Sequence, residues 1–256
     1  MIALVSIAGL LLFLWPFFGF GLSPETPALA VTLAAVAALA VMEAGARRLD
    51  SGRLALLAAL AAIDAALRLA MVNGLAGFSP IFFLVLAAGY EFGPSYGFLV
   101  GSFSLLVSAV VTGGVGPWLP YETFAVGWVG LVAGLAGSLV RRARPARRTW
   151  RPARLDLVVL AIVAVATGFA YGALTDLYGW VAFYRGVANV GWIPGLGPAE
   201  TIAQFGRFYA LTSLGWDSFR AAGDALAVLA FGPPVLMALG RLRARLGYEI
   251  VDLPVE

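Results

Sequence analysis

The chain has 256 residues, 61% of them hydrophobic and only 12% charged, against about 25% charged in an ordinary soluble domain. With a mean hydropathy of +0.92, so apolar a chain cannot cover a core with polar surface, and the excess calls for spans of about 20 apolar residues matched to the hydrocarbon thickness of a bilayer. Every one of the 17 basic residues is arginine, and lysine, histidine and cysteine are absent. That excludes zinc sites of the usual ligands, haem held by His or Cys, disulfides, thiol nucleophiles and imidazole bases. Intramembrane metalloproteases and Ser/His proteases of the rhomboid type go with them. The composition predicts an all-α, multi-pass membrane protein.

Apolar runs fall at roughly 2–22, 27–46, 54–73, 79–91, 97–113, 121–140, 155–175 and 221–240, which is eight predicted transmembrane helices. The first lacks a basic leader and a small-residue cleavage site and is broken by Pro16, so it reads as a span. The fourth and fifth are short and flank Phe92-Gly93-Pro94-Ser95-Tyr96; two helices are preferred over a re-entrant pair. Arginines follow the second span (Arg47, Arg48, Arg53), the sixth (Arg141, Arg142, Arg144, Arg147, Arg148, Arg151, Arg154) and the eighth (Arg241, Arg243, Arg245). Eight spans put all three clusters on one side, which the positive-inside rule makes cytoplasmic, together with both termini.

The opposite side receives short connections and one long segment, 177–220, carrying Trp180, Trp192, Trp216, Arg185, Arg207 and Arg220. Within it, Ile202, Phe205, Phe208 and Tyr209 are spaced as on an amphipathic helix over 200–214. The arginine-rich stretch 141–154 reads first as a topology determinant and contact for anionic lipid, and secondarily as a docking site for a cytoplasmic partner. By organisation, 1–50 is a transmembrane hairpin, 51–246 a six-helix core and 247–256 a short cytoplasmic tail.

Two constellations could carry function. On the third span, Ala55, Ala59, Ala62 and Ala66 form a small-residue stripe that another helix can approach closely. On a different face Asp64 and Arg68 lie one turn apart and are expected to neutralise each other as a structural ion pair. Packing within the chain is the plainer reading of both features. The second constellation is Thr112-Gly-Gly-Val-Gly-Pro-Trp-Leu-Pro-Tyr-Glu122, where glycines and prolines interrupt the helix between spans five and six. Without lysine it cannot be a phosphate-binding P-loop.

The runs Leu86–Gly101, Ser108–Tyr121 and Gly127–Gly134 resemble the membrane-embedded substrate-binding S component of energy-coupling-factor (ECF) vitamin transporters. The alanine stripe is similar to the Ala-x-x-x-Ala coupling motif on that family's first core helix. Tyr171–Asp176 and Phe231–Leu236 resemble its last two helices. The likeness covers about 53–245 and is most specific in the Gly/Pro/Trp segment. It implies a six-helix core, here preceded by two extra helices, with a ligand pocket opening outward. It also implies partners on the cytoplasmic side, a transmembrane coupling subunit and two ATPase subunits, and a location in the bacterial inner membrane.

The ligand-binding residues so implied are Asn73, Phe78, Gly113, Gly114, Gly116, Trp118, Tyr121, Glu122, Trp180, Arg185 and Trp192, with Ala55, Ala59, Ala62 and Ala66 contacting the coupling subunit. Closely similar S components take cobalamin or related vitamins, so the expected ligand is cobalamin-like, held by stacking and hydrogen bonds. The expectation is a binding protein: no enzyme, no cofactor, no metal and no nucleic acid. Two other classes are weighed. One is a proton-coupled carrier built on Asp64 and Arg68. The other is an intramembrane enzyme using Asp64, Glu91, Glu122, Asp176 or Asp224, acids that the sequence scatters over both faces.

Overall fold

A computed structural model describes residues 2–14, 25–45, 49–70, 80–144 and 151–247. Its elements are helices: α1 (Ile2–Leu14), α2 (Glu25–Gly45), α3 (Ser51–Ala70), α4 (Pro80–Phe92), α5 (Pro94–Thr112), α6 (Leu119–Ala143), α7 (Arg154–Phe183), α8 (Pro198–Thr212) and α9 (Leu214–Arg245), with no strand among the described residues. Five of them, α2, α5, α6, α7 and α9, are long and apolar enough to cross a membrane. The chain is thus a helical, multi-pass membrane bundle. The eight predicted spans correspond in order to α1–α7 and α9, and the amphipathic segment to α8. Within the described residues α1 and α4 are 13 residues each, a rise of about 20 Å. The helices α7 and α9 run well past the predicted 155–175 and 221–240, so much of the long connection at 177–220 is helical.

The centre of the bundle is α4, α5 and α6. Glycines allow backbones to meet there: a Cβ on Gly97 would strike the Gly130 carbonyl, and one on Gly130 the Gly97 carbonyl. The α4–α5 hairpin turns on Gly93, whose φ of 96° is open to glycine and strained for other residues. The short pair of spans is two helices, α4 and α5, packed against each other. Pro94 begins α5 where its missing N–H costs nothing.

Polar side chains tie one end of the bundle together. Arg141 of α6 donates to the Tyr90 carbonyl of α4 at 2.5 Å. The Tyr90 hydroxyl donates to Asp156 of α7 at 2.8 Å, and the same carboxylate caps its own helix by accepting from the Ala153 N–H at 2.6 Å. Arg243 of α9 pairs with Glu91 at 3.3 Å, Arg53 of α3 donates to the carbonyls of Leu246 and Gly247, and the Tyr96 hydroxyl donates to the Arg53 carbonyl. The start of α3, α5 and α7 and the end of α4, α6 and α9 therefore share one end, the arginine-rich one. Helix α1 runs antiparallel to α6, with Ser6 bonded to Trp128 and Phe13 against Tyr121, so its first residues point the same way.

Gly130→Val should force α5 and α6 apart and destabilise the detergent-solubilised protein by about 1–3 kcal/mol or more. Gly206→Ala, at a position with open space around it, is the control. A thermal melt of the Gly130 variant that matches the control would contradict this packing.

Candidate functional site

The opposite end gathers charge without balancing it. Asp217, in the first turn of α9, seats against α7 because position 172 is glycine; a Cβ there would overlap its carboxylate. Asp217 is 2% exposed, accepts from the Tyr209 hydroxyl of α8 at 2.8 Å and pairs with Arg220. Burial and this bond push the Tyr209 hydroxyl above its ordinary range, keeping it a neutral donor. The Arg220 guanidinium lies 5.1 Å from the Tyr171 ring centroid. Glu122, at the start of α6, feels the charges of Arg68 and Arg220. Asp176 of α7 lies near Ser213 and Asp217. One turn below Arg220, Asp224 is 1% exposed and neither carboxylate oxygen has a hydrogen-bond partner among the described residues. Asp64, one turn below Arg68, is fully buried and equally unpartnered.

Four helices thus bring five carboxyl groups (Asp64, Glu122, Asp176, Asp217, Asp224) to two guanidinium groups (Arg68, Arg220), with Tyr171 and Tyr209 among them. Sequence reading scattered the candidate acids over both faces; the fold brings four of them together and leaves Glu91 at the arginine-rich end. The expected direct pair between Asp64 and Arg68 does not form: the carboxylate has no hydrogen-bond or ion-pair partner among the described residues, and Arg68 acts on it through its charge alone. The reason is helical position, since Asp64 sits on the packed face of α3 while Arg68 stands at its half-exposed edge. Tyr171 and Asp217 were missed as site residues, and the sequence placed Arg68 and Arg220 in separate features; the one sequence signal of the site is charge inside apolar helices.

The other predicted ligand residues divide into three. Gly113, Gly114 and Gly116 form the turn between α5 and α6, with Gly113 capping α5 in the left-handed region at φ 69°. Trp118 is 39% exposed, yet its ring lies over Gly116 and its indole N–H donates to the Gly114 carbonyl, so it packs on its own loop. Tyr121 is buried and stacks on Tyr178 at 4.1 Å. Trp180 is fully buried, donates to the Val190 carbonyl at 2.7 Å and joins Trp192 and Phe208 in a small core that holds the 184–197 segment and α8 in place, with Arg185 over the Trp192 ring. Asn73 and Phe78 lie outside the described residues.

The predicted coupling residues Ala55, Ala59, Ala62 and Ala66 are all exposed; packing within the chain uses the other face of α3, through Leu57, Leu60, Ala61 and Ala65. Among the described residues no group of three or more acids could hold a metal ion. No family model, curated protein or solved structure matches this chain.

Trp180→Ala should cost about 3–5 kcal/mol and loosen the cap above the acidic cluster. Limited proteolysis should then cut within 184–212 at protease levels that leave the parent chain intact. Unchanged resistance would show that the small aromatic core is not what holds this segment.

Proposed function

We propose that the chain is the substrate-binding membrane subunit of an ECF-type transporter, capturing a vitamin or related micronutrient at the acid-rich end and passing it inward with the help of an ATP-driven coupling module. The observation that carries this reading is the division of labour on α3. One face directs Asp64 into the bundle and places Arg68 beside Glu122, and the other presents four alanines to the surroundings. Arg68 and Glu122 supply opposite charges for orienting a polar ligand, and Arg68 makes no salt bridge among the described residues. The flat alanine face suits a reversible helix contact, because it has little side-chain entropy to lose.

By the positive-inside rule the tied, arginine-rich end is cytoplasmic and the acid-rich end faces out, in the inner membrane of a bacterium under this reading. Most of the aromatic faces expected to stack on a corrinoid are engaged by the protein itself, so polar recognition near Arg68 and Glu122 supports a micronutrient ligand more than a cobalamin-sized stack. A second reading, a self-contained proton-coupled carrier, is favoured by the unpartnered Asp64 and Asp224.

Ala59→Trp should abolish co-purification with a coupling subunit and its ATPases while ligand binding by the isolated chain persists. Arg68→Ala should do the reverse, weakening binding by about 1.5–3 kcal/mol if a charged hydrogen bond to the ligand is lost. Uptake that survives loss of the ATPases and stops when the proton gradient is collapsed would select the carrier instead.

A further inference from the structure

We infer that Asp64, Ser104 and Ser108 form a sodium-binding site between α3 and α5. The hydroxyls of Ser and Thr in these helices usually turn back onto the carbonyl four residues earlier, as Thr32, Thr112, Thr123, Thr167, Thr175 and Thr212 do. Ser104 and Ser108 do not. Both are fully buried, and neither oxygen has a hydrogen-bond partner among the described residues. They stand one turn apart on α5, and the Ser104 hydroxyl faces the Asp64 carboxylate without closing onto it.

The two helices run parallel, with the Tyr96 hydroxyl bonded to the Arg53 carbonyl. Counted from that bond at about 1.5 Å per residue, Asp64 is eleven residues along α3, between the levels of Ser104 and Ser108 at eight and twelve along α5. One carboxylate and two hydroxyls, all buried and all unpartnered, are hard oxygen donors with a single negative charge among them. That set suits a small monovalent cation better than a divalent one, which oxygen sites hold with more carboxylates. A proton on Asp64 would let the carboxyl pair with the facing Ser104 hydroxyl but would leave the Ser108 hydroxyl unmatched, whereas a cation engages all three oxygens. The charged and titratable groups near Asp64 are Arg68 of α3 and, beyond it, Glu122 of α6, Tyr171 of α7 and Arg220 of α9. Glu122 shares the field of Arg68, which leaves Asp64 available to a cation.

The inference goes beyond the transport reading and is tested on the isolated chain, so neither depends on the other. The purified full-length protein in detergent is melted in choline chloride, potassium chloride and sodium chloride at equal ionic strength and fixed pH. Sodium should raise the melting midpoint with saturation, as a ligand specific for the native state does, and potassium and choline should not. Asp64→Asn should remove the sodium effect and Ser104→Ala should shift its half-saturation to higher sodium. If Asp64→Asn does not fold, the paired Ser104→Ala and Ser108→Ala variant carries the same test. Equal response to the three salts, a full sodium response in the variant that folds, or an Asp64-dependent response to pH with none to sodium would each overturn the site.

Discussion

The bond between Tyr90 and Asp156 is the contact on which the rest of the molecule leans. In a low-dielectric bundle a buried carboxylate or guanidinium is tolerable when other polar groups surround it. Around Tyr90 that condition is met by Arg141 above and Asp156 beside it, with the Asp156 carboxylate also capping α7. Three helices from different parts of the chain are pinned at one level, and Arg243 and Arg53 bring in α9 and α3. The glycine contacts between α5 and α6 then set how close the centre of the bundle can pack.

Because Tyr90, Glu91 and Asp156 all have partners at that end, the unpartnered carboxyls at the other carry meaning. Five carboxyls face two arginines, and two of the acids, Asp64 and Asp224, have no hydrogen bond among the described residues. Groups kept in that condition inside a membrane protein are costly to stability and are the natural places for a ligand or ion. The cap built on Trp180, Trp192 and Phe208 lies over this end and reaches it through the bond from Tyr209 to Asp217.

Helix order was legible in the sequence because hydropathy reports directly on the thickness of the bilayer, and the arginine clusters marked the end that the hydrogen bonds later tie. Lengths were less so: α7 and α9 extend beyond their apolar windows because Asp217 is buried and Asp176 and Arg220 are half-buried beside it rather than out in water. The candidate site was legible only in part. Asp64, Glu122, Asp176 and Asp224 lie far apart in sequence and meet only through packing, which no local spacing reveals. Trp180 and Tyr121 have the composition of a ligand platform, but buried aromatic rings serve a core equally well, and here their faces are taken by Phe208 and Tyr178. The free hydroxyls of Ser104 and Ser108 had no sequence signature, since most such residues bond their own helix.

The central claim is that the two ends face opposite sides of a membrane, the tied arginine-rich end inward and the acid-rich end with its cap outward. The chain contains no cysteine, so single cysteines can be introduced at Gly206 on α8 and at Ala244 near the end of α9, both exposed. Labelling right-side-out vesicles with a membrane-impermeant maleimide should modify the cysteine at 206 and spare the one at 244 until the membrane is opened. Labelling at 244 with protection at 206, or equal labelling of both in sealed vesicles, would contradict the account.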